Sequence, residues 1–241
     1  MNKRVYYFLL FLILTLVFGN AIFISFKKGL TLKFVSIYLD LLESFFLLLT
    51  IILIFFITRM NLDEKNIFKL LGIGFLLLFI SNFITSFPKY FSVIPSEILF
   101  LVSFFLPIKP YLSFIKKSFL LISTLLFIFL FSLSYFFIIY PLLGISTFSI
   151  HEKIFIIGSL LLDSLIIFLL IPKILLHLGG EYEVPWLSIG IGFLLKFIGS
   201  LLSYYYLVNY KLVVPLFDNF WIFWTFFVSL GVLEYIRIYS T

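Results

Sequence analysis

Residues Gly190–Ile198 read GIGFLLKFI, and residues Gly72–Ile80 read GIGFLLLFI. Eight of nine letters agree, at an offset of 118 positions in a chain of 241. Neither copy holds a turn former beyond its glycines, and each continues into further apolar sequence. A stretch of this kind reads as part of a long buried or lipid-facing helix. The one difference, Leu78 against Lys196, places an ionisable group where its counterpart is aliphatic.

The surrounding sequence has the same character. The chain is 63% hydrophobic and 12% charged, with 36 Phe and 14 Tyr, which excludes an ordinary soluble domain. About 20 apolar residues cover a hydrocarbon core of roughly 30 Å. Candidate spans are Val5–Phe26, Phe34–Ile57, Leu70–Phe87, Phe91–Ile108, Ser118–Tyr140, Ile154–Leu176, Leu187–Val208 and Asn219–Ile238. The fold class is therefore an all-α, polytopic membrane helix bundle of about eight transmembrane helices. The fourth span is the weakest, because Pro95, Ser96 and Glu97 interrupt its start; without it the count is seven. The basic start MNKR suits a retained first helix better than a signal peptide, since the apolar run is too long and no cleavage site follows.

The segments between spans are short, and the chain stops at YST, so no cytoplasmic output module is expected. Counting Lys and Arg puts ten on the side of the N-terminus and six on the other. The bias favours a plasma-membrane protein with both termini cytoplasmic. The formal net charge of +6 is explained by these flanks rather than by nucleic acid, and the lipid bilayer is the partner the composition demands. With no cysteine, disulfides and thiolate metal sites are excluded.

A second match extends the first. Lys89 precedes Ser103-Phe104-Phe105 by the spacing that separates Lys211 from Thr225-Phe226-Phe227. The simplest account is a parallel duplication of a four-helix unit, residues 1–117 and 118–241, together one membrane domain. Chance is the competing account, since Leu, Ile and Phe match cheaply here; the aligned glycines argue against it. Their role would be close helix packing.

Ionisable residues inside a span cost roughly 2.5–3.5 kcal/mol each on insertion scales, so each needs a reason. Asp40 and Glu43 lie three apart in the second span, on one helix face. Asp163 and Lys196 lie near the middle of the sixth and seventh. At 1.5 Å rise per residue their depths differ by roughly 4.5 Å, which a lysine stem covers. Asp163–Lys196 is the favoured ion pair, with Glu43 the competing partner across the two units. Such a site either binds a ligand or moves a proton, or it fixes helix register. Glu97 and Asp218 open the fourth and eighth spans, where a carboxylate caps a helix N-terminus or serves as a secondary polar group. Trp186, Trp221, Trp224 and Tyr204–Tyr206 lie near span ends, as an aromatic belt would. His151 and His177 stand 26 residues apart along one helix, roughly 39 Å, and cannot share a metal or haem. No metal, catalytic or cofactor motif is visible, and none of these is expected.

The second half carries a resemblance: Asp163, Pro185-Trp186-Leu187 opening a span, GIGFLLKFIGSLLSYYY, and Pro215, Asp218 and Trp221 before the last span. Asp40, GIGFLLLFI and Glu97 through Pro107 follow it more loosely. This resembles the multi-helix membrane input region found ahead of bacterial diguanylate cyclases and some histidine kinases. The resemblance implies a non-enzymatic sensory, ligand-binding or scaffolding role, acting through a separate cytoplasmic or membrane signalling protein. A small secondary transporter or permease subunit with a midplane polar site is the alternative.

Overall fold

The computed structural model of the protein describes residues 32–60, 65–83, 90–108, 116–212 and 217–239. The span expected at Val5–Phe26 lies outside them. Among the described residues the structure is all helical: α1 Leu32–Arg59, α2 Lys65–Phe83, α3 Tyr90–Ile108, α4 Lys117–Gly144, α5 Ile150–His177, α6 Glu183–Tyr210 and α7 Asp218–Tyr239. Five of these are long and apolar enough to cross a bilayer, and α3 contributes a shorter apolar helix over Ser92–Phe105. The protein is a multi-pass membrane helix bundle.

Polar punctuation, rather than apolar periodicity, sets several boundaries. Ser149 caps α5 by accepting from the Glu152 N–H, while the Glu152 carboxylate accepts from the Ser149 N–H at 2.7 Å. Lys211, in the left-handed conformation at φ 54°, ends α6. Within α4 the ladder widens into a π turn over Tyr135–Ile139. The cause is Pro141, which has no N–H for the Phe137 carbonyl four residues back. Asn209 of α6 supplies the missing donor, its Nδ2 lying 3.1 Å from that carbonyl.

The helix pairings come in twos. α1 packs on α2 as α5 packs on α6, and α2 on α3 as α6 on α7. Between the halves, α1 meets α7 as α5 meets α3. The repeated phrase sits at matching points of this pattern. A Cβ on Gly72 would meet Ile54 of the preceding helix, and one on Gly190 would meet Ile174 of its preceding helix. Gly74 faces Phe100 of the following helix, and Gly192 faces Trp224 and Val228 of its own. Between the halves, Thr50 and Ser229 hydrogen-bond at 2.6 Å, which joins α1 to α7 inside apolar surroundings.

Two cores result. The larger gathers Phe46, Phe75, Phe100, Phe104, Phe193 and Trp224; the smaller joins α4, α5 and α6 through Leu130, Ile138, Leu160 and Phe197. Outward positions such as Leu41, Phe55, Phe56, Leu121, Phe129 and Phe136 are exposed, as lipid-facing side chains should be.

The close approach of α6 to α7 rests on Gly192, whose added Cβ would lie 2.9 Å from the Trp224 backbone carbonyl oxygen. Backbone cannot yield as a side-chain tip does. Gly192→Ala is expected to destabilise the protein by about 1–3 kcal/mol, the usual cost of overpacking. Gly158→Ala meets only Ile94 at an ordinary 3.5 Å and is expected to be neutral or slightly stabilising. Thermal unfolding of both variants in mild detergent tests the contrast; equal melting temperatures would contradict it.

Candidate functional site

The bundle encloses three ionisable groups from three helices. Lys196 on α6, Asp163 on α5 and Glu97 on α3 are all buried, Lys196 and Glu97 at 0% exposure. The Lys196 ammonium donates to Asp163 Oδ1 and, at 2.8 Å, to Glu97 Oε1. Hydroxyls hold the carboxylates in place. Ser159 Oγ donates to Glu97 Oε1 at 2.9 Å, and Ser200 Oγ donates to Asp163 Oδ2 at 3.1 Å. Charge-assisted bonds of this kind are the strongest a bundle interior offers.

Each helix brings its residue to the centre by periodicity. Ser159 and Asp163 are four apart on α5, and Lys196 and Ser200 four apart on α6, so each pair shares a face. The indoles of Trp221 and Trp224 on α7 complete the shell, their ring centres 5.1 and 5.5 Å from the Lys196 nitrogen. With two of three ammonium donors committed to carboxylates, these aromatic faces are suited to the remaining positive edge. α2 brings no ionisable group to this centre among its described residues; the face it turns to α3 carries Gly74 and Phe75.

One ammonium faces two carboxyl groups. With all three ionised the site carries a formal charge of −1, in surroundings that penalise net charge. Glu97 Oε2 is buried with no hydrogen-bond partner among the described residues, as are the Nε1 atoms of Trp186 and Trp224. The cluster is thus one positive charge short, and the oxygen left over belongs to Glu97.

The expected Asp163–Lys196 pairing is present, and the structure adds a third member that spacing did not suggest. Glu97 does not cap a helix. α3 begins at Tyr90, ahead of Pro95, so Glu97 lies in its interior, two turns from the end. Ser96, next to the proline, turns its Oγ back onto the Ser92 carbonyl at 2.5 Å. Glu43, expected to compete for Lys196, is on α1, which packs against α2 and α7 rather than α6. Asp40 is exposed on the same helix. Glu97 takes the expected place of Glu43 because α3, not α1, crosses α5 beside the lysine. The side chain of Asp218, at the start of α7, lies outside the described residues.

The tryptophans depart from a belt. Trp186 and Trp224 are fully buried, and Trp221 faces Lys196. Trp186 instead stacks with His177, their ring planes 14° apart, and takes the Lys173 ammonium 4.7 Å from its ring centre. Among the described residues no group of three His, Cys, Asp or Glu is arranged to hold a metal ion.

No family model matches the chain, and no curated protein or solved structure matches it. Function is therefore argued from the site.

Removing one partner from a buried ionic cluster leaves charge uncompensated, at a cost of about 3–5 kcal/mol, whereas removing all of it can be nearly neutral. Lys196→Met is expected to lower stability by about that amount. The triple variant Lys196→Met, Glu97→Gln, Asp163→Asn is expected to recover most of the loss. Melting in detergent reads both, and a Lys196→Met protein as stable as the wild type would show that the cluster does not hold the helices together.

Proposed function

We propose that this is a non-enzymatic protein of the plasma membrane, sensory in type, in which the Lys196–Asp163–Glu97 cluster is the responsive element. A separate cytoplasmic or membrane signalling protein takes its output. The observation that carries the reading is the charge imbalance at a sealed centre: two carboxyl groups, one ammonium, and an unpartnered Glu97 oxygen. A proton is the smallest charge that completes such a site. On binding to Glu97 it converts a carboxylate acceptor into a group with one donor, and so changes what Lys196 is held by.

The cluster stands where a small change has leverage. Glu97 belongs to the first half of the chain, and Asp163 and Lys196 to the second. Weakening the Glu97–Lys196 bond loosens α3 from α5 and α6, a contact between the halves. Packed interfaces answer such changes in steps rather than smoothly. The resemblance to membrane input regions supports the same assignment.

The alternative is a small secondary transporter. The two-fold pairing of helices favours it, because internally repeated units rocking about a midplane site are a common transporter design. The sealed state of the cluster favours the sensor. Two of the surface grooves, one lined by Ile51, Phe55 and Ile73 and the other by Leu101, Phe105 and Phe168, are apolar and do not include the cluster.

Three tryptophans occur in the chain, and two of them face Lys196, so intrinsic fluorescence reports on the cluster. In lipid nanodiscs the wild type is expected to show a pH-dependent fluorescence change. It should be accompanied by a protonated-carboxyl stretching band in the infrared, and Glu97→Gln should remove both. A wild-type protein without either signal at any pH would overturn the proton reading. Substrate-dependent proton flux in proteoliposomes would establish the transporter.

A further inference from the structure

Above and below the charged cluster, the bundle is built differently. Towards the His177–Glu183 end, the next layer is built on aromatic rings. Phe193 lies 5.4 Å from Phe100, 5.3 Å from Phe104 and 5.7 Å from Trp224, ring centre to ring centre, and Phe104 continues to Trp186 at 6.3 Å. All five rings are buried. Ile166 and Leu170 extend the seal along α5. The rings of this layer carry no hydroxyl or carboxyl group, and the buried hydroxyls beside them, Ser103 and Thr225, are turned back onto the Phe100 and Ile222 carbonyls of their own helices at 2.7 and 2.9 Å.

The opposite direction carries hydroxyls. Ser159, one turn from Asp163 on that side, bonds Glu97 Oε1 directly. Tyr204, two turns beyond Lys196 or roughly 12 Å along the helix axis, lies with its hydroxyl on the Ser159 side of the cluster. Its ring packs on Phe155 at 6.3 Å. Past it, Tyr205, Tyr206 and Tyr210 form a ring cluster with centres 5.5–5.9 Å apart, and Tyr210 is exposed. The chain Glu97–Ser159–Tyr204 is thus a short line of exchangeable hydroxyls from the cluster towards one membrane face.

We propose that the cluster exchanges protons with only one side of the membrane, by way of Ser159 and Tyr204, and that the aromatic layer closes the other side. The inference rests on the proton reading above and adds its direction. One proton leaves water at the Tyr210 end and one arrives on Glu97; each hydroxyl in the line takes one proton and releases its own, ending unchanged, and the site passes from a formal charge of −1 to neutral. The groups that face Glu97 are Lys196 and Tyr204 from α6, Asp163 and Ser159 from α5, and Trp221 and Trp224 beside Lys196 from α7. The described residues of α2 add none that ionises. By the distribution of Lys and Arg, the Tyr210 end is the outer one, so the protein would read external rather than cytoplasmic acidity.

The test is a stopped-flow pH jump on oriented proteoliposomes, followed by tryptophan fluorescence. For the wild type, a jump on the Tyr210 face is expected to give a fast response, and a jump confined to the other face one at least about tenfold slower. Tyr204→Phe and Ser159→Ala should each slow the fast response by about tenfold, the factor matching one lost hydrogen bond. In both, the rate should fall further than the size of the end-point change. Unchanged rates in both variants, or equally fast responses from the two faces, would overturn the route while leaving the proton reading intact. No fluorescence response in the wild type would overturn the proton reading and the route with it.

Discussion

An ammonium group on a helix whose neighbours face lipid must find its counter-charge within the reach of one side chain, and the helices must then stay where that charge is. Lys196 reaches carboxylates on two different helices, so three elements are tied at one point. Apolar packing alone has no such address: lipid tails are as hydrophobic as leucine, and helices surrounded by them can slide or rotate at little cost. The cluster selects one arrangement among many greasy ones. A buried ionic group is weak as a source of stability, and it is better understood as fixing which packing is adopted.

The rest of the architecture is consistent with that constraint. α6 approaches α7 closely through Gly192, which brings Trp221 and Trp224 over the ammonium. Ser159 and Ser200 orient the carboxylates from the turns above. Below, the layer of Phe100, Phe104, Phe193 and Trp224 removes the dielectric that would otherwise weaken the ionic bonds. On the proton reading proposed above, the excess carboxyl group has two charge states, each with a different hold on α3.

Much of this was legible beforehand, for identifiable reasons. The paired phrases marked two helices, α2 and α6, whose glycines take matching packing positions, because a glycine marks a close approach where leucine and isoleucine are interchangeable. The Asp163–Lys196 pair was legible from depth alone, since a helix converts residue number into height at a constant rate. Glu97 was misplaced because Pro95 looked like a boundary, whereas α3 starts five residues earlier and carries the proline inside it. Trp186 and Trp224 were misplaced because nearness to a span end does not say which way a side chain points. Glu43, at similar depth, was the competing partner for Lys196, and the order of helices around the bundle decided against it.

By itself, then, the sequence determined a multi-pass helical membrane protein, the approximate limits of its helices, and the need for an anion beside Lys196. Those conclusions follow from one-dimensional quantities: apolar length, charge along the chain and rise per residue. Which anions answered, which aromatic rings turned inward, and which face of the cluster was lined with hydroxyls were decided by lateral neighbours. Helix rotation and neighbour order carry no signature in a sequence so uniformly apolar, because nearly every face of every helix is fit to be buried. Only the assembled bundle, where α3 lies against α5 beside Lys196, resolves them.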